Sequence, residues 1–176
     1  DNEGTLINRD SFTKMQNVGE KRKRVFNIAT TSGYTKFTLT EIPNQPGLAS
    51  QIFEPLSAKD ISVDEISMNA VRKASTDFTF TVESRDHDRT LEVLQRLITE
   101  LDAGNILVSP NLAKVSIIGT GMREESGYAA QMFTTLADSN INIDLITTSE
   151  IRITCMIEQS DLENAAKALH KAFELD

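Results

Sequence analysis

The residues whose types and spacing suggest chemistry lie at two turns, one in each half of the chain. The turn Asn44–Gly47 (NQPG) combines proline and glycine directly before a predicted helix. Free backbone N–H groups at a helix N-terminus attract anions, so this turn is suited to a carboxylate. Asn140 and Asn142 carry amides that both donate and accept hydrogen bonds. Ordinary turn chemistry explains either turn alone, but the two together favour a site for a small polar ligand.

Other motifs that could carry chemistry are incomplete. The sequence GTG at 119–121 follows a strand, but a dinucleotide fingerprint needs a third glycine where this chain has Glu124. His87, His170 and the single cysteine, Cys155, lack the spacing of metal ligands. Cys155 lies among alternating apolar residues and is interpreted as a small core residue rather than a nucleophile. We therefore expect no catalytic residue, no metal and no cofactor.

An internal repeat predicts the elements that position the two turns. A shift of 80 residues aligns Pro46–Ile66 with Ser126–Ile146, and eight positions are identical, among them Asp64 and Asp144. Each copy reads as strand, helix, strand, strand, helix. The first helix of each copy has an apolar face, formed by Leu48, Ile52, Phe53 and Leu56 in copy one and by Tyr128, Met132, Phe133 and Leu136 in copy two. One further strand would complete a ferredoxin-like unit.

The position of that last strand predicts how the copies are joined. Copy one has a strand-like stretch at Asn105–Ser109 after its second helix, whereas copy two has none before Asp176. An incomplete sheet would leave unpaired backbone along its edge. Val25–Thr30, ahead of copy one, is expected to fill the gap in copy two. The predicted fold is therefore α+β, with two ferredoxin-like βαββαβ modules, the first inserted in the second.

The predicted boundaries follow from this arrangement. Residues 1–24 form a linker or N-terminal arm, residues 35–110 form module 1, and residues 25–31 with 112–176 form module 2. The basic run at 21–24 (KRKR) is interpreted as a solvated linker rather than a nucleic-acid or targeting patch. The reason is that the rest of the chain is acidic and no aromatic residue interleaves with the run.

Composition limits the classes of function. The 176 residues include 18 Lys+Arg and 26 Asp+Glu, a net charge of −8, and no Trp, so a grip on a phosphate backbone is disfavoured. No apolar run approaches the roughly 18 residues of a membrane span. A single cysteine cannot form an internal disulfide, which favours a reducing, cytoplasmic location. We expect neither a nucleic-acid partner nor a membrane partner.

Six motifs carry a resemblance to a known family. They are NQPGLASQIF (44–53), ISVDEI (61–66), TDFTFTV (76–82), AKVSIIGTGM (113–122), INIDLITTSEIRI (141–153) and ALHKAFELD (168–176). On these motifs the chain resembles the tandem ACT domains of the aspartate kinase (aspartokinase) family, as in its regulatory β subunit. The resemblance runs from about Val25 to the C-terminus, and GTLI (4–7) resembles the end of that family's kinase domain.

The resemblance implies a regulatory partner of a kinase domain or subunit, without catalysis of its own. It implies a homodimer that binds L-threonine and/or L-lysine between module 1 of one chain and module 2 of its partner, and so inhibits the kinase allosterically. The implied effector residues are Asn44, Gly47, Leu48, Ala49, Ser62 and Met68 in module 1, and Asn140, Asn142, Ile143 and Ser149 in module 2. The chain departs from the family's usual Asp, Asn and Gln at Asn44, Ser62 and Met68.

Three alternative functions were weighed against this one. A small ferredoxin-like enzyme would need a convergent acid, base or nucleophile cluster, and the sequence suggests none. A nucleic-acid-binding module would need exposed aromatic residues on a basic sheet face, whereas Phe78 and Phe80 fit the core. A dimerisation module that has lost its ligand would have the same fold, and titration with threonine and lysine would separate it from an effector-binding module.

Overall fold

The computed structural model describes residues 25–72, 75–120 and 127–175. Within these ranges the chain forms six strands and four α-helices. The strands are β1 Val25–Pro43, β2 Val63–Arg72, β3 Ser75–Glu83, β4 Ile106–Gly119, β5 Leu145–Thr148 and β6 Arg152–Glu158. The helices are α1 Leu48–Ser57, α2 His87–Glu100, α3 Tyr128–Asp138 and α4 Leu162–Ala172. The predicted linker at 1–24, with its basic run, and part of the 119–124 motif lie outside the described residues.

All six strands form one antiparallel sheet in the order β2-β3-β1-β4-β6-β5. The second half of β1, followed by α1, β2, β3, α2 and the first half of β4, is one ferredoxin-like unit. The second half of β4, followed by α3, β5, β6 and α4, is the other, and the first half of β1 completes its sheet. The predicted α+β fold of two βαββαβ modules, the first inserted in the second, is confirmed. The residue boundaries of the modules stay a prediction.

The two modules share strands that the sequence suggested were separate. The strand-like stretches on either side of Gly33 are one strand, β1, and those on either side of Asn111 are one strand, β4. Both strands change register at this junction, where Gly33 has φ 85° and Asn111 has φ 58°. Bulges of this kind keep the hydrogen-bonded ladder continuous while they reverse the side-chain alternation. The physical reason for the continuity is therefore a local backbone conformation that glycine and asparagine adopt at little cost.

This reversal gives each module its own core. Before the junction, Ile28 of β1 faces the core of module 2, and after it Phe37 faces the core of module 1. The predicted helix faces are confirmed, since Leu48, Ile52 and Leu56 are buried in α1, as are Met132 and Leu136 in α3. The aromatic rings of Phe78 and Phe80 also belong to the core of module 1, where both contact Phe53 edge-on.

Two lysines form ion pairs from one module to the other on the sheet faces that carry no helices. Lys36 and Lys114 alternate with the core residues Phe37 and Val115, so both project away from the helices. Lys36 pairs with Asp144, and Lys114 pairs with Asp64 and, at 3.4 Å, with Glu65. β1, which carries Lys36, is three strands away from β5, which Asp144 directly precedes. β4, which carries Lys114, is likewise three strands away from β2, which carries Asp64. In a flat sheet, three strands correspond to about 14 Å. The sheet must therefore curl so that its helix-free faces approach each other.

The crossed pairs are related by the repeat. Asp64 and Asp144 are equivalent positions in the repeat. Lys36 and Lys114 are equivalent in the sheet, since they pair with Thr81 of β3 and Met156 of β6, which match when β3 is aligned with β6. A pair of hydroxyl groups is repeated on the same faces, Thr38 with Thr79 at 2.9 Å and Ser116 with Thr154 at 2.8 Å. The two modules thus contact each other through matching groups.

Removal of the charge of Asp144 should destabilise the chain. The Lys36 and Asp144 side chains are 16% and 29% exposed, so Asp144→Asn leaves a largely buried ammonium group without its counter-ion. We expect the free energy of unfolding in urea to fall by about 1–3 kcal/mol. Glu163→Gln is the matched control, because its partner Lys167 and Glu163 are 74% and 80% exposed. Equal effects of the two substitutions would contradict this role for the Lys36–Asp144 pair.

Cys155 should be chemically inert in the folded chain. The side chain is fully buried in the core of module 2, which confirms it as a core residue, and burial raises the pKa of its thiol to about 12. Because the thiolate is the reactive form, iodoacetamide at about pH 8 should not modify the native chain. Mass spectrometry should detect one alkyl group only after unfolding in urea. Alkylation of the native chain as fast as that of the urea-unfolded chain would show that Cys155 is accessible.

Candidate functional site

The first turn of α1 carries four of the predicted site residues. Gly47 is the N-cap, with φ 90°, a conformation that a side chain would strain. The N–H of Leu48 donates to the Gln45 carbonyl at 3.3 Å, and the Leu48 side chain is buried in the core. Asn44 and Ala49 are exposed. Leu48 can therefore meet a ligand only through its backbone, whereas the Asn44 side chain and the α1 N-terminus are open to one.

Ser62 and Met68 lie on or beside β2, at one edge of the sheet. Ser62 is exposed immediately before the strand. Met68 pairs with the core residue Phe78, so its side chain lies on the helix side of the sheet, where it is 53% exposed. Ile66, two residues earlier, is equally exposed on the same side. This edge is more apolar than a site for an ammonium group alone requires.

The predicted residues of module 2 occupy both ends of β5. Asn140 has φ 56° and donates its N–H to the Ala137 carbonyl at 2.9 Å, and Asn142 is exposed. Ile143 is half-buried against the core of module 2. Ser149 lies beyond the other end of the strand, about 13 Å away along four residues, where its N–H donates to the Arg152 carbonyl. Asn140 and Asn142 are thus neighbours, and Ser149 is separate from them within one chain.

The repeat makes the two modules similar but not equivalent as sites. Asp60 and Asn140 match, and both have positive φ. Ser62 of module 1 matches Asn142 of module 2, so the exposed amide pair occurs in module 2 alone. Among the described residues, no hydrogen bond joins the α1 turn to the Asn140–Asn142 loop. Within one chain the α1 turn and the Asn140–Asn142 loop are therefore two distinct groups of predicted site residues.

The helix-free faces enclose a feature that the sequence analysis missed. Two adjacent cavities of about 240 and 200 Å³ lie between the modules, and both are lined by Glu65, Arg152 and Thr154. The identity of Asp64 and Asp144 in the repeat was the available signal. That signal could not be interpreted without the curl of the sheet.

Within the described ranges no group of three or more His, Cys, Asp or Glu residues is placed to hold a metal ion, and no helix is long and apolar enough to cross a membrane.

Comparisons with known proteins agree with this architecture. Models of the ACT domain match residues 37–101 and 115–173, one in each module. The chain is 38% identical to a chain in the crystal structure of aspartokinase α and β subunits, of which it covers 99%, with 86% of its own length aligned and a TM-score of 0.78. It is 33% identical to the regulatory subunit of aspartate kinase from Thermus thermophilus. That alignment covers 85% of this chain and 99% of the Thermus chain, with a TM-score of 0.77.

Full-length relatives extend well beyond this chain. The aspartate kinase Ask_LysC of Stutzerimonas stutzeri is 43% identical over 173 residues, which are 98% of this chain and 41% of the relative. The aspartokinase of Pseudomonas aeruginosa is 40% identical over 173 residues, which are again 98% of this chain and 41% of the relative. The chain spans about two fifths of the length of these curated relatives and nearly the whole length of the two solved chains. It belongs to the aspartokinase family, as the regulatory part built from two ACT domains.

Proposed function

We propose that this chain senses L-threonine and/or L-lysine and transmits feedback inhibition to an aspartate kinase domain or subunit. The effector binds between the α1 turn of one protomer and the Asn140–Asn142 loop of its partner. The observation that carries this proposal is the separation of the two half-sites within one chain, because a second protomer is needed to bring them together.

Complementary chemistry supports this site. The backbone N–H groups of Gly47 and Ala49 favour the effector carboxylate, since the first turn of a helix has unsatisfied donors and a positive dipole end, whereas the Leu48 N–H donates to Gln45. The amides of Asn140 and Asn142 accept from an ammonium group and donate to a side-chain hydroxyl. Ser62, Met68 and Ile143 complete the proposed set at the edges where the protomers meet. Ser149 is its remaining member and also lines the smaller cavity between the modules.

The edges of the sheet support a homodimer. β2 and β5 are the terminal strands of the sheet, and each leaves one side of its backbone unpaired. Both carry exposed apolar side chains on the helix side, Ile66 and Met68 on β2 and Ile146 on β5. Pairing of the β2 edge with the partner's β5 edge would bury these side chains and place Ser62 near the partner's module 2.

The position of the loop suggests how occupancy is transmitted. Asn142 lies two residues before Asp144, which holds the Lys36 ion pair between the modules. An effector that fixes Asn142 therefore also biases the position of Asp144 and the packing of one module against the other. By linkage, a kinase state that favours one packing must change effector affinity by the same factor.

Titration of Asn142→Ala tests the effector site. Calorimetry with threonine and with lysine should show that the substitution weakens binding by about 1–3 kcal/mol, because it leaves buried polar partners unpaired. Asn164→Ala, at an exposed position of α4, is the matched control and should bind like wild type. A Gly47 variant is less informative, because its φ of 90° mixes helix-cap strain with loss of contact.

The outcomes of this titration separate the candidate functions. Wild-type binding with no loss in Asn142→Ala would show that the site lies elsewhere. Absence of binding by wild type to either amino acid would contradict the sensing role. That result, with dimerisation intact, would identify the chain as a ligand-free dimerisation module.

Sedimentation tests the dimer independently. Wild type should sediment at twice the 19.5 kDa chain mass, and Ile66→Lys should shift it toward the monomer because a charge would be buried at the β2 edge. Leu107→Lys is the control, since Leu107 is 57% exposed on β4 and lies opposite Thr38 of β1, away from the β2 and β5 edges. A monomeric wild type, with and without threonine or lysine, would overturn the proposed dimer.

A further inference from the structure

The cleft between the helix-free faces is lined by charged residues of both signs from a single chain. Its cavities of about 240 and 200 Å³ lie between β2 of module 1 and β4, β5 and β6 of module 2. Glu65 lines them from module 1, and Arg152 and Thr154 line them from module 2. A ligand here would touch both modules of a single chain.

The cations of the cleft differ in how they are neutralised. Lys114 is 7% exposed and is compensated by Asp64, by Glu65 at 3.4 Å and by the ring of Tyr34 at 4.3 Å. Arg152 is exposed and forms no ion pair with any described residue. Its guanidinium group is thus available for a carboxylate, which it can bind through two parallel hydrogen bonds.

The balance of charge selects the ligand class. Two cations, Lys114 and Arg152, face two acids, Asp64 and Glu65, so the cleft as a whole is neutral. A dianion would be repelled by the acids, and a simple cation by the lysine and arginine. A molecule that carries one charge of each sign matches the cleft, with its negative end at Arg152 and its positive end at Glu65.

We propose that the cleft binds a small zwitterionic amino acid, with its carboxylate on Arg152 and its ammonium group on Glu65. The hydroxyl groups of Ser116 and Thr154, which bond to each other at 2.8 Å, line the cavity beside these charges. Each hydroxyl group can accept a further hydrogen bond from a polar ligand. The ligand holds β2 of module 1 against β6 of module 2.

The repeat supplies an internal comparison for this assignment. β3 and β6 align with a shift of 75 residues, so the position equivalent to Arg152 in module 1 is Asp77, whose carboxylate accepts from the Glu41 N–H at 2.9 Å. The position equivalent to Glu65 in module 2 is Leu145. Both copies of the repeat therefore keep the lysine that pairs with an acid of the other module. The combination of Glu65 with Arg152 has no counterpart, because the equivalent residues are Leu145 and Asp77. The cleft site occurs once per chain, whereas the crossed ion pairs occur twice.

Calorimetric titration of the full 176-residue chain with L-alanine and L-serine tests the proposal. Both should bind saturably, and Arg152→Gln and Glu65→Gln should each weaken binding at least about tenfold, because each removes a charge-assisted hydrogen bond. Arg96→Gln, which removes an exposed arginine from α2, is the matched control and should bind like wild type. Acetate and methylammonium, with one charge each, should bind at least about tenfold more weakly than alanine.

The results distinguish this cleft from the site between protomers. Asn142→Ala should keep wild-type affinity for alanine and serine, and amide NMR signals of Ser116 and Thr154 should shift on titration. Loss of alanine binding in Asn142→Ala would place the ligand at the protomer interface and overturn the cleft. Acetate binding as tight as alanine, equal weakening by Arg96→Gln, or no saturable binding of either amino acid would also overturn the proposal.

Discussion

The structure depends on two strands that belong to both modules. β1 and β4 run through the whole sheet side by side, and each contributes one half to module 1 and the other half to module 2. Each module takes two of its four strands from this pair, so the modules cannot move apart without disrupting a continuous backbone hydrogen-bonded ladder. The helices, the turns and the edges are arranged around this shared pair, and the arrangement of the two modules is therefore part of the fold rather than a loose docking.

The bulges at Gly33 and Asn111 give this shared pair its functional geometry. Because they reverse the side-chain alternation, each half of β1 faces a different core, and the helix-free faces are left to meet each other. Lys36 and Lys114 then reach acids of the opposite module. The proposed half-sites at the α1 turn and the Asn140–Asn142 loop lie on the remaining surface. The proposed contacts between protomers and the observed contacts within a chain would thus both act on this pair of strands.

Much of this architecture could be predicted from the sequence, because a duplicated pattern reports the same element twice. Gly47 with Gly127, the apolar faces of α1 and α3, and the missing last strand of copy two together predicted both modules and the insertion. The continuity of β1 and β4 was missed, since Gly33 and Asn111 resemble ordinary breaks in a strand. The cleft was missed because Lys114 and Asp64 are brought together by the curl of the sheet, which no local pattern encodes.

The division of β1 between the modules also sets an order of events during synthesis. The segments of module 1 are contiguous, so its core can close as soon as the first half of β4 has left the ribosome. Until the second half of β4 has emerged, the nascent chain exposes the unpaired backbone of the first half of β1 beside a folded module 1. Each ribosome that translates the same messenger RNA carries a chain with the same unpaired strand.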